Sequence, residues 1–283
     1  MKTIDLSRLK EKVRLAVQQA NFEIDPDLRL AVENALPGEK AAAGREICRQ
    51  ILANADIARE EQLALCQDTG LALFFVTMGE EVKTEKNGFA GIADAIRQGT
   101  IEGYQEGYLR KSVCDPLTRE NTKDNTPVFI HWELVPGDVF EVVFMAKGGG
   151  AENMSALKMM TPAAGLAGIE DFVLATVEKA GPNPCPPTVI GVGIGGNFDQ
   201  SALLAKKALL RKPLGSHHPE PFYADLEKRL LEKINRTGIG PMGLGGTWTS
   251  LAVHVEKAPC HIASLPVAVN VNCHSHRVLV LDI

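Results

Sequence analysis

Leu71–Met78 reads LALFFVTM and Val139–Ala146 reads VFEVVFMA, two apolar runs rich in aromatic and β-branched residues, with Gly70 before the first and Pro136-Gly137-Asp138 before the second. Runs of that length and composition between turn residues predict strands. Toward the N-terminus the period changes. Leu6, Leu9, Val13, Ala16, Val17 and Ala20 recur every three or four residues, the single apolar stripe of a helix. A second helix is predicted after Asp25-Pro26, with Asp as N-cap and Pro at the first helical position, and a third over 41–60.

Toward the C-terminus the same signals predict strands at Thr126–Leu134, Thr188–Val192, Leu251–Val255, Leu265–Asn272 and Val278–Asp282, and a helix over Ser201–Lys212. AENMSALKMM (151–160) reads as the start of another helix, and RKPLGSHHPEP (211–221) as a loop insertion. Strands and helices mix without a regular βαβ rhythm. The expected fold is therefore α/β (α+β-like), with mainly antiparallel or mixed sheets surrounded by helices, in a single domain over 1–283.

The chain has 283 residues, 45% hydrophobic and 23% charged, the balance of an ordinary folded protein. Its 30 basic residues against 35 acidic ones leave a net charge of −5, which argues against a nucleic-acid partner held by phosphate neutralisation. No apolar run approaches the roughly 18 residues of a membrane span. The N-terminal MKTIDLSRLKEKVRLAV is charged every few residues and lacks a signal-peptide core, so a cytoplasmic protein is expected. None of the six cysteines forms a CxxC pair, and in a reducing compartment such thiols serve packing or ligation.

Three cysteines have settings suited to ligation. Cys66 opens CQDTG before a strand, Cys185 is braced by prolines in GPNPCPPT, and Cys273 ends a strand in NVNCHSHR beside His274, His276 and Arg277. A ligand thiolate must be held in place and kept out of apolar packing, and each position provides that. Cys48 lies in a helical pattern, while Cys114 and Cys260 have plainer surroundings. Structural zinc sites usually use close pairs, whereas three scattered thiolates suit a cluster with one open corner that polarises a substrate oxygen.

Asp68 is a candidate proton acceptor, and Arg110 in GYLRKSVCDP a candidate carboxylate clamp. Lys147-Gly148-Gly149-Gly150, between a strand and the expected helix, offers backbone N–H groups to an anion. Gly191, Gly193 and Gly196 match GxGxxG, which keeps a nicotinamide-dependent oxidoreductase open. Such a site wants an acid about 20 residues on, and that region reads KKALLRKPLGSHH. The loop at Gly243, Gly245 and Gly246 lacks a phosphate-binding lysine. A non-catalytic assembly subunit with zinc at Cys273, His274 or His276 is a third possibility.

CQDTG, YLRKSVCDP, KGGGAENMS, NPCPPTVIGVGIGGNFD, GLGGTWT and HIASLPVAVNVNCHSHR, in this order and spacing, resemble one family. It is the α subunit, or N-terminal domain, of the iron–sulfur-dependent class I fumarase and L-tartrate dehydratase family, and the likeness runs from about Leu6 to the C-terminus. The resemblance implies a [4Fe–4S] cluster on Cys66, Cys185 and Cys273, with its fourth iron facing a dicarboxylate substrate. It also implies that Gln67, Arg110 and Gly149 bind that substrate and that Asp68 and His261 are catalytic, His261 reaching an active site in a dimer of the chain. The remaining active-site residues belong in this family to a C-terminal part or separate β subunit. The chain is thus expected to hold the cluster and to be inactive alone. Reversible hydration of fumarate to malate is the expected reaction, with L-tartrate or mesaconate dehydration as the alternative.

Overall fold

The computed structural model describes residues 2–84 and 88–283. The chain begins with β1 (Thr3–Ile4), α1 (Leu6–Phe22), α2 (Pro26–Ala35) and α3 (Ala42–Glu61), followed by β2 (Leu71–Gly79), β3 (Lys83–Thr84) and α4 (Gly88–Glu106). Next come β4 (Phe129–Val135), β5 (Phe140–Lys147), α5 (Gly149–Glu152), β6 (Ala156–Met160) and α6 (Gly165–Ala180). The remainder is β7 (Thr188–Gly195), α7 (Phe198–Ala208), α8 (Pro221–Asn235), β8 (Ser250–Ala258), β9 (Leu265–Asn272) and β10 (Val278–Val280). This is the expected α/β class. The contacts divide the chain into two compact units, one of 1–25, 55–149 and 277–283, the other of 26–54 and 150–276.

In the first unit the strand order is β10-β5-β2-β4. β2 runs antiparallel to β5 and parallel to β4, with Phe74 opposite Phe144. Alternate residues Phe74, Val76 and Phe144 point into a core shared with Leu9, Val13 and Val17 of α1 and Ile92 and Ile96 of α4. Asp5 caps α1 by accepting from the N–H groups of Ser7 and Arg8. Helix α4, which apolar periodicity alone does not announce, carries Gly99 and Gly103 where it crosses α1. A side chain at Gly99 would strike the Lys10 carbonyl and one at Gly103 the Arg14 carbonyl. Glycine costs helix stability in isolation, and here it permits a close helix–helix crossing.

In the second unit the order is β6-β9-β7-β8, with β9 antiparallel to β6 and β7, and β7 parallel to β8. Ile190, Val192 and Ile194 of β7 face the core formed with Val173 and Val177 of α6 and Leu226, Leu230 and Ile234 of α8. The alternate residues Gly191 and Gly193 face α7, where any side chain would collide with the backbone carbonyls of Ala205 and Ser201. Two of the three GxGxxG glycines thus lie inside a strand to admit a helix, and not in a turn that could cradle a pyrophosphate. The helix expected after Gly150 is corrected: α5 is a single turn, and Ala156–Met160 forms β6 against β9. Helical spacing there is overridden by a free edge of β9 that needs a partner.

Candidate active site

The loop between α3 and β2 carries Cys66, Gln67 and Asp68. Its path is set by Gly70, whose φ of +78° suits glycine and whose missing side chain would come 2.7 Å from the Lys147 carbonyl group. Asp68 is held from both sides. Its Oδ1 accepts the Gly70 N–H at 3.0 Å and its Oδ2 accepts the Gly149 N–H at 2.7 Å. A carboxylate with one backbone donor per oxygen has a fixed plane and still keeps lone pairs for another proton or donor. The anion that the glycine turn was expected to take is therefore supplied, at Gly149, by the chain itself. Cys66 is half-buried, and its Sγ lies 3.4 Å from the Oε1 of Gln67, an exposed side chain.

Arg110 is tied to this loop through its backbone. The Thr69 hydroxyl donates to the Arg110 carbonyl at 2.8 Å, while the Arg110 side chain is exposed. Two buried residues that sequence reasoning missed complete the brace. The Tyr104 hydroxyl donates to the Thr69 carbonyl at 2.8 Å, and burial holds its pKa above the ordinary tyrosine value. Asn125, at φ +64°, accepts from the N–H groups of Ser112 at 2.7 Å and Val113 at 3.2 Å and donates to the Gly70 carbonyl at 3.2 Å. Asn tolerates the left-handed region, and an Asn before Thr-Pro in a polar loop was the available signal. The first unit thus brings Asp68, Gly149 and the Arg110 backbone together beside Cys66.

In the second unit the Cys185 and Cys273 loops are joined by His274. Its backbone N–H, at 3.3 Å, and its ring Nδ1, at 2.9 Å, both reach the Cys185 carbonyl. Cys185 sits at φ +55° between prolines, its N–H donating to the Pro182 carbonyl at 3.0 Å. The Cys273 Sγ lies 3.0 Å from the Ser275 hydroxyl. The His276 ring meets the Asn272 amide at 2.9 Å. Both thiols are half-buried, and all six cysteines are unbridged, with Cys48 buried in α3.

His261 sits elsewhere in this unit. It is exposed in the loop between β8 and β9, its ring Nδ1 accepting the Ala263 N–H at 3.1 Å. It borders an apolar cleft of about 380 Å³ lined by Ile194, Phe222, Tyr223 and Leu265. The eight residues of β9 separate it from Cys273. At about 3.4 Å per residue that strand alone spans roughly 24 Å.

The GLGGTWT loop, a motif without an assigned role, is organised by Glu39, a buried carboxylate 2% exposed. Its oxygens accept from the N–H groups of Ala41 at 2.9 Å, Thr247 at 2.9 Å and Trp248 at 3.1 Å. Burial pushes its pKa up, and the backbone donors outweigh that and hold it below the ordinary glutamate value.

With this geometry in view, the relatives are decisive. A model of the fumarate hydratase (Fumerase) family matches residues 10–281. This chain belongs to the fumarate hydratase family. It is 43% identical over 265 residues, 92% of each chain, to a Methanocaldococcus jannaschii protein named "Putative L(+)-tartrate dehydratase subunit alpha". It is 34% identical over 276 residues to the L(+)-tartrate dehydratase subunit alpha of Escherichia coli strain UTI89, covering 96% of this chain and 89% of that one. The K12 counterpart, with the same name, is 33% identical over the same length. A hydro-lyase family is thereby established. No helix among the described residues is long and apolar enough to cross a membrane.

Proposed function

We propose that this chain is the α subunit of an L(+)-tartrate dehydratase, a cytoplasmic hydro-lyase completed by a separate β subunit. The observation that carries the reading is the 43% identity over 92% of both chains to a relative bearing that subunit's name. Tartrate, the alternative that the family resemblance left beside fumarate, is thereby favoured, because the relatives at 33–43% identity are named tartrate dehydratase α subunits, the first of them as "Putative".

The donor chemistry fits a [4Fe–4S] cluster. Cys66, Cys185 and Cys273 are unbridged, half-buried thiols on braced loops, and such thiolates suit iron–sulfur ligation. When bound, the cluster supplies a Lewis-acidic iron for the substrate's hydroxyl and carboxylate. Loss of water from tartrate breaks one C–H bond and the C–O bond on the neighbouring carbon, and the resulting enol becomes oxaloacetate. Asp68, with its plane fixed by Gly70 and Gly149, handles the proton. Gln67 and the exposed Arg110 guanidinium bind and orient the diacid, the arginine gripping a carboxylate through its planar fork. Gly149 contributes at the same turn. His261 serves the active site of a second copy of the chain, which its separation from Cys273 along β9 supports, and which makes the α chain a homodimer.

The test is anaerobic co-expression with the β subunit, followed by cluster reconstitution. About four iron and four sulfide per α chain are expected, with L-tartrate converted to oxaloacetate faster than fumarate is hydrated. Fumarate turnover with tartrate inert would return the substrate to fumarate. A colourless protein that takes up zinc would overturn the hydro-lyase subunit reading. His261→Ala should keep its iron and lose turnover.

A further inference from the structure

Arg277 follows the CHSH segment and carries no assigned role, yet its side chain is only 3% exposed. A buried guanidinium is costly unless its charge and donors are matched. One donor is matched: Nη1 reaches the Asn21 Oδ1 at 2.8 Å. Asn21 is fully buried, and its own Nδ2 donates to the Val17 carbonyl at 2.8 Å, which turns its oxygen toward Arg277. Nε is buried without a hydrogen-bond partner among the described residues. Nε and Nη2 form the edge with which arginine grips a carboxylate side-on.

Its Nη2 lies near the Asp68 turn without pairing with the carboxylate directly. A side chain built on Gly148 would begin 3.5 Å from the Arg277 Nη2 and 3.3 Å from the Asp68 Oδ2, so glycine leaves the gap between the two charges open. The Arg277 carbonyl accepts the Ala146 N–H at 3.0 Å, which pins the residue to the end of β5, the strand that leads into Gly148 and Gly149. Around this point Asp68 accepts from Gly70 and Gly149, and Tyr104 closes the back of the loop.

We infer that Arg277, anchored by Asn21, is a positioning residue for Asp68: its buried charge holds the Asp68 carboxylate, and with it the Gly148–Gly149 turn, in one orientation. Its catalytic consequence rests on the proposed proton-handling role of Asp68, while the placement itself stands on this geometry. Losing the guanidinium removes the positive charge that faces the carboxylate across the Gly148 gap and loosens its hold on the two glycine amides.

The test is amide hydrogen exchange on the full ¹⁵N-labelled chain carrying Arg277→Met, Arg277→Lys or Asn21→Ala. Arg277→Met should speed exchange of the Gly70 and Gly149 amides by about tenfold or more, the scale of one charge-assisted hydrogen bond, while Phe74 and Phe144 in the sheet keep their protection. Arg277→Lys should restore part of the loss. Asn21→Ala, which removes only the anchor, should act in the same direction more weakly and serves if the methionine variant does not fold. Unchanged glycine exchange, or an equal rise at every sheet amide, would overturn the inference. In the assembled enzyme, Arg277→Met should lower kcat for L-tartrate with KM little changed. A wild-type assembly inactive on tartrate and fumarate would defeat the proposed function and leave the exchange result standing.

Discussion

His254, fully buried on β8, should make the second unit sensitive to acid above the range in which carboxylates titrate. Its Nδ1 lies 3.1 Å from the Ala208 carbonyl, and its Nε2 accepts the Gly215 N–H at 3.1 Å, clipping the 211–221 insertion to the sheet. Only the neutral ring with its proton on Nδ1 makes both bonds. Burial first, and the charge of Arg211 second, lower its pKa from 6.5 to about 4, although Glu227 and Glu256 pull the other way. The unfolded chain therefore takes up a proton near pH 6.5 that the fold refuses until about pH 4. The stabilisation is fully present above pH 6.5 and is lost as pH falls toward 4, by about 3 kcal/mol in all and about 2 kcal/mol between pH 7 and 5. Urea unfolding of wild type and His254→Gln at pH 7 and pH 5, at constant ionic strength, isolates this loss because other titrating groups are common to both. The variant should be less stable at pH 7 but lose about 2 kcal/mol less on acidification. Parallel losses in the two proteins would refute the reasoning.

Replacing Cys66, Cys185 or Cys273 with serine should abolish cluster binding, while Cys48→Ser leaves iron and sulfide content unchanged. Full iron in Cys185→Ser would remove that residue from the ligand set. Gly193→Ala should cost about 1–3 kcal/mol or more, because the new methyl meets the Ser201 carbonyl and the strand–helix contact must open. Its thermal unfolding should therefore fall well below that of wild type, and calorimetric titration of the wild type with NADH should show no saturable binding. Glu39→Gln should destabilise the chain by about 1–3 kcal/mol, read by urea unfolding, because a neutral amide accepts less strongly from the Thr247 and Trp248 amides and brings an NH₂ group toward them.

Much of the fold was legible because β2, β5 and β9 are nearly continuous apolar runs whose β-branched or aromatic content and bounding turn residues leave little choice of structure. Helix α4 was not, since its glycines answer to the α1 backbone and not to local propensity. β6 was misread for the same reason: its structure depends on the edge of β9, more than a hundred residues away. The cysteines, Asp68 and Arg110 could be singled out because thiols and charges on stiff loops have few other uses. Tyr104 and Arg277 could not, since an aromatic and an arginine in sequence carry no sign of being buried against a particular carbonyl or amide oxygen.

The sequence by itself determined the N-terminal helices and most of the strands, the family and the thiol and carboxylate chemistry, because these are written in local period and residue type. Only the tertiary structure decided that Gly191 and Gly193 admit a helix, that Asp68 itself takes the Gly149 amide, and that Ala156–Met160 pairs with β9 as a strand. Each of these depends on which backbone atoms meet across long chain separations, and residue type alone does not carry that information.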